Sequence, residues 1–133
     1  MARMSTLPSQ RAALRLSALL LGAGAAHFAS PRPFDRIVPT ALPGSPRTYT
    51  YVSGVAELTA GTALAIPRTR RLGGTLAAAL LIAVFPANVQ MAVTWLRSER
   101  LSPAAKAVAV ARLPLQVPLI AQALTARRNA PRR

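Results

Sequence analysis

Four runs of mostly apolar residues, separated by short polar segments, organise the chain: roughly 12 to 28, 49 to 66, 72 to 96 and 104 to 124. Each approaches the about 20 apolar residues that one helix needs to cross bilayer hydrocarbon. The third is the cleanest, with no charge from Leu72 to Leu96, whereas the second contains Glu57 and the fourth Lys106 and Arg112. The pattern predicts an all-α, polytopic membrane protein: a four-helix transmembrane bundle that occupies all 133 residues as one membrane domain.

The connections refine this picture. Residues 67–71, Pro-Arg-Thr-Arg-Arg, are short enough to force the second and third helices into antiparallel contact. The first connection is rich in proline, and Phe34, Ile37 and Val38 follow Pro33 at helical spacing. This suits either a short helical turn that caps one end of the bundle or an ordinary proline-rich loop. The first run follows the basic residues Arg3, Arg11 and Arg15, as the apolar part of a secretory leader does. Ala18, Gly22 and Ala26, at four-residue spacing, form a small face suited to close helix contact, so the span is expected to be retained.

Charge then sets orientation and removes one class of function. The net charge of +14 alongside 52% hydrophobic residues suits either a nucleic-acid binder or a membrane protein. A nucleic-acid surface gathers its arginines on one face, with aromatics to stack on bases. Here the basic residues lie between the apolar runs, so nucleic acid is set aside and the expected partner is the lipid bilayer. One side holds Arg3, Arg11, Arg15, Arg68, Arg70, Arg71, Arg127, Arg128, Arg132 and Arg133; the other holds Arg32, Arg36, Arg47, Arg97, Arg100 and Lys106. The richer side is expected to be cytoplasmic, which places both termini there. Tyr49, Tyr51 and Trp95 then sit at the outer interface, where amphipathic rings settle. Arginine supplies every basic residue but Lys106, and alanine and proline are abundant, a bias of high-GC bacteria; the expected location is the bacterial plasma membrane.

Polar residues inside the runs are the candidates for chemistry. Glu57 lies eight residues past Tyr49, Asn88 eight before Leu96, and Arg112 eight past Ala104. At about 1.5 Å per residue, all three are expected on the order of 12 Å below the outer boundary, in one layer. A lone charge at mid-bilayer costs roughly 2.5 to 3.5 kcal/mol on insertion scales, so Glu57 is expected to pair with Arg112. Asn88 and Gln116, one turn from Arg112, extend the layer, and His27 stands at the outer end of the first run. Pro86, Pro114 and Pro118 remove backbone hydrogen bonds nearby, and the freed carbonyls need partners. The layer has two readings: a packing lock, or a site in which Glu57, Asn88, Arg112, Gln116 and His27 bind a cofactor such as a quinone or handle protons.

The chain has no cysteine, one histidine and three acidic residues, which leaves thiol chemistry out and serves a metal site or a bis-histidine haem poorly. No catalytic residues are assigned, and the chain is not expected to be an enzyme on its own.

The segments Ala26-His27-Phe28, Phe34 to Pro43, Tyr51 to Gly61, Phe85 to Met91 and Arg112 to Ile120 resemble the DoxX-like family of small bacterial membrane proteins. The resemblance covers most of residues 12–124. It implies a four-helix membrane protein, and some members are linked to quinone-dependent sulfur oxidation or to thiol and oxidative-stress complexes. Without cysteine, any redox role here runs through a bound quinone or through a soluble or membrane redox partner. The expected function is therefore a quinone-linked or redox-associated membrane subunit. A small proton-coupled carrier that uses Glu57, and a scaffold that anchors a soluble partner through the basic turn and tail, are the alternatives.

Overall fold

The computed structural model describes residues 8–36, 38–39 and 41–131. Arg3, Ile37, Arg132 and Arg133 lie outside the described residues. The fold is all-helical: α1 (Arg11–Ala29), α2 (Arg32–Asp35), α3 (Pro46–Ala65), a 3₁₀ turn (Pro67–Thr69), α4 (Arg70–Ala83), α5 (Phe85–Arg97) and α6 (Pro103–Asn129). Proline opens several of these. It stands in the first turn of α2, α3, α5 and α6, where a helix makes no internal bond with its N–H and its fixed φ suits a helix. Ser102 caps α6, its Oγ accepting the Ala105 N–H at 3.2 Å.

The third apolar run is two helices rather than one. Pro86 has no N–H for the Ile82 carbonyl, and the α-helical ladder ends at Ala83, restarting at Phe85. In contrast, α6 continues through Pro114 and Pro118 without a break.

Three stretches are long and apolar enough to cross a membrane: Arg11–Ala29, Pro67–Arg97 and Pro103–Asn129. That marks a membrane protein. α3 is not among them, because its 20 residues include Arg47, Glu57 and four threonines.

α3 packs between α1 and α4, and α6 packs against α4, α5 and α1. Small residues let the helices approach closely. The main core joins Leu16 and Leu20 of α1, Leu64 of α3, Leu81 of α4 and the alanines Ala77 and Ala123, all buried. A smaller cluster of Met91, Ala92 and Ala109 joins α5 to α6, with Trp95 and Leu113 against it. The face of α1 expected to make close contact is corrected. A Cβ at Gly22 would meet nothing within 4 Å, whereas one at Gly24 would lie 2.9 Å from Leu58 Cγ and 3.1 Å from the Gly54 carbonyl. Four-residue spacing finds a small stripe but not the direction it points.

At the end where the chain starts and finishes, Arg70 is buried and ties several helix ends together. Its Nε donates to the Leu64 carbonyl at 2.6 Å and its Nη2 to Ala65 at 2.9 Å, two carbonyls left over at the end of α3. Its Nη1 reaches Gln10 Oε1 at 2.8 Å, and Gln10 Nε2 in turn donates to the Asn129 carbonyl at 2.6 Å. Asn129 Nδ2 answers with a bond to the Ser9 carbonyl at 3.1 Å.

The opposite end carries a helical cap, α2. Asp35 accepts from Thr50 Oγ1 at 2.5 Å and from Arg47 Nε at 2.8 Å, which moors α2 to the first turns of α3. The Thr50 hydroxyl, and after it the Arg47 guanidinium, hold the Asp35 carboxyl below its ordinary range. A depressed carboxylate pKa contributes stability above the unfolded value of about 4 and loses it as pH falls through the folded value. Amides of residues 34–36 should therefore lose hydrogen-exchange protection when the pH drops below about 4, and Asp35→Asn should abolish that dependence. Protection that is flat with pH in the wild type would show that Asp35 does not moor the cap.

Candidate functional site

The polar centre of the fold is the pair His27 and Glu57, between α1 and α3. Nδ1 of His27 lies 3.1 Å from Glu57 Oε2, with both side chains almost covered. Nδ1 also lies 2.7 Å from the Ala23 carbonyl. A carbonyl only accepts, so that contact assigns the proton to Nδ1 and directs it along α1. Glu57 Oε2 then lies 3.1 Å from the imidazole nitrogen but is buried without a hydrogen bond. A buried carboxylate oxygen with spare accepting capacity costs free energy unless something satisfies it.

Two features shape this place. Phe34 of α2 stacks on the His27 ring, centroids 3.8 Å apart and planes 21° apart, and closes the pair from the capped end. On the α3 side, a Cβ at Gly54 would lie 2.7 Å from Phe28 Cε2 and 2.9 Å from His27 Cβ, so only glycine lets α1 bring the imidazole this near. Beside them, Phe28 stacks on Tyr51, with Arg47 over the Tyr51 ring.

The expected pairing of Glu57 with Arg112 is not found: among the described residues Glu57 lies against His27, and Asp35 pairs with Arg47. Arg112 is exposed on α6, and its Nη1 approaches Met91 Sδ at 3.6 Å. Two physical reasons separate them. Equal depth leaves the direction around each helix open, and α3 faces α1 and α4 while Arg112 faces α5. In addition, α3 runs past the end of α1. Gly54 lies beside His27 and Phe28, the last turn of α1, so a count from Tyr49 overstates how far Glu57 lies along the neighbouring helix.

Asn88 is buried on α5. Gln116 is buried and already engaged: its Nε2 donates to the Leu81 carbonyl at 2.8 Å, near the break between α4 and α5. It answers the backbone's need for partners rather than extending a layer from Arg112. Gln116→Leu should cost about 1 to 3 kcal/mol by orphaning that carbonyl, read as a lower unfolding midpoint in detergent. An unchanged midpoint would mean that the carbonyl finds another donor.

Sequence reasoning missed Phe34 as the cover of His27, and took Arg70 for a loop charge only. The position of Phe34 after Pro33 was visible; its stacking partner depends on how the loop folds back. Among the described residues, no three His, Cys, Asp or Glu side chains gather as a metal site.

A family model described as "Domain of unknown function (DUF8561)" matches residues 16–127. The chain belongs to that family. The DUF8561 match takes in His27, Phe34, Gly54 and Glu57, as well as Asn88, Arg112 and Gln116. No curated protein matches this DUF8561 chain, and no solved structure does.

Proposed function

We propose that this protein is a multi-pass protein of the bacterial plasma membrane, a four-helix transmembrane bundle with both termini cytoplasmic, that serves as a quinone-linked, redox-associated subunit. The observation that carries the reading is the buried His27–Glu57 pair with its unsatisfied carboxylate oxygen. An intramembrane ionisable pair is a functional candidate by default. The DoxX-like relation is part of the same proposal and rests on the segments that carry the resemblance.

The outward surface of α3 supports a fourth span. Its exposed large side chains Tyr51, Val52 and Val55 are apolar. Its exposed threonines Thr59 and Thr62 give their hydroxyl protons to the Val55 and Leu58 carbonyls, both at 2.7 Å. A hydroxyl satisfied within its own helix faces lipid at little cost, which mean hydropathy does not count.

A quinone, when bound, supplies two-electron, two-proton chemistry. The chain's own residues contribute binding and proton handling. Glu57 Oε2 has accepting capacity left for a hydroxyl, His27 stands 3.1 Å from it, and Phe34 covers the imidazole ring. Asn88 and Arg112 are given no part in this site, and Gln116 is spent on the backbone. With no cysteine in the chain, electrons come from and return to a partner.

The test is quinone content after extraction in mild detergent. Wild type should carry quinone in near-stoichiometric amount, and Glu57→Gln and His27→Leu should retain at least tenfold less at unchanged helicity. If the wild type holds none above background and binds none when supplied, the reading fails. Orientation is checked separately on the cysteine-free chain: Glu99→Cys should label only from outside the cell.

A further inference from the structure

We propose that Arg71, Arg127 and Arg128 form a binding site for the phosphate of an anionic lipid, where α4 begins and α6 finishes. The three arginines and Ala130 line a concavity of about 320 Å³. The two helices are in backbone contact beside it: a Cβ at Gly74 would lie 2.8 Å from the Ala123 carbonyl and 2.9 Å from the Arg127 nitrogen. That approach sets Arg71, in the first turn of α4, beside two arginines in the last turn of α6.

No side-chain carboxylate answers this charge. The chain has three acidic residues. Asp35 is bonded to Thr50 and Arg47, Glu57 lies against His27, and Glu99 is in the connection before α6, at the other end of that helix. Arg127 and Arg128 gain from the carbonyl end of α6, but Arg71 sits at the amide end of α4, where a helix already favours an anion. Its neighbour Arg70 is spent on Leu64, Ala65 and Gln10. Arg128 gives one Nη2 bond, at 3.1 Å, to Thr125 Oγ1 and keeps the rest of its fork. Guanidinium forks match phosphate oxygens in geometry as well as charge.

The choice of a lipid rests on the membrane reading above. Helix ends of a spanning protein stand at headgroup level, where anionic phosphates are concentrated and basic pockets between helices collect them.

The experiment is native mass spectrometry of the full chain released from bilayers of equal phosphatidylglycerol and phosphatidylcholine. Wild type should retain phosphatidylglycerol preferentially. Arg71→Gln with Arg127→Gln should lower that retention by roughly fivefold per arginine. Arg11→Gln with Arg15→Gln removes the same charge from the same end and should leave the preference within about twofold. Arg128→Gln alone gives a milder second reading on the pocket, and circular dichroism confirms that each variant is folded. Equal loss in both double variants, or no preference in the wild type, overturns the site. Displacement of the lipid by millimolar inorganic phosphate overturns the lipid assignment in favour of a free anion. An alkaline carbonate wash of membranes separates the two readings: release of the chain sinks the membrane reading, whereas retention without lipid preference sinks only this site.

Discussion

Gly73→Ala is expected to destabilise the protein by on the order of 3 kcal/mol. In an unencumbered helix the same change stabilises by about 0.5 to 1 kcal/mol, since alanine loses less entropy on folding. Here the added carbon would lie 2.6 Å from the Leu64 nitrogen and 2.8 Å from the Ala63 carbonyl carbon. Both are backbone atoms of α3, and only 66–69 separate α3 from α4, so neither helix can retreat without opening the hairpin. Gly22→Ala is the matched control, with open space around its added carbon, and should be neutral or slightly stabilising. Unfolding of the two variants in detergent, followed by circular dichroism, decides the matter. Equal midpoints would show that α3 and α4 are not in backbone contact at Gly73.

Arg70→Leu is expected to be comparably damaging, at about 3 kcal/mol or more. A hydrogen bond to a charged group contributes about 1.5 to 3 kcal/mol, and this change removes the donor from two carbonyls of α3 as well as from Gln10. Arg70→Lys should recover less than half of the loss, because a single ammonium cannot span the Leu64 and Ala65 carbonyls as the planar fork does. Full recovery by lysine would mean that charge alone, not the fork, matters at this end. Gln10→Ala should reproduce a smaller part of the effect, and its combination with Arg70→Leu should be less than additive, since the two share one bond.

Both predictions concern positions whose importance the amino-acid order hides. The helices themselves were legible: runs at 12–28, 49–66, 72–96 and 104–124 became helical stretches at Arg11–Ala29, Pro46–Ala65, Arg70–Arg97 with its break, and Pro103–Asn129. Hydrophobic length and first-turn prolines carry that information locally. α6 extends past residue 124 because a polar last turn remains a good helix once the backbone ladder is established. The lateral arrangement was not legible. Glu57 and Arg112 share a distance from Tyr49 and Ala104, but which neighbour each one faces depends on how the helices pack. The offset of α3 along α1, which brings Glu57 level with His27, is set by Gly24 and Gly54 meeting across that interface. Of the five expected ligands, His27 and Glu57 meet, Gln116 bonds backbone, Arg112 rests on Met91, and Asn88 is buried on α5.

The bonds between Gln10, Ser9 and Asn129 place the start of α1 against the finish of α6. A reporter domain fused ahead of α1 and another fused behind α6 must therefore report the same compartment, whichever orientation the chain takes. Joining those two points with a brief linker, and reopening the chain between α2 and α3, should give a circularly permuted protein that folds around the same core.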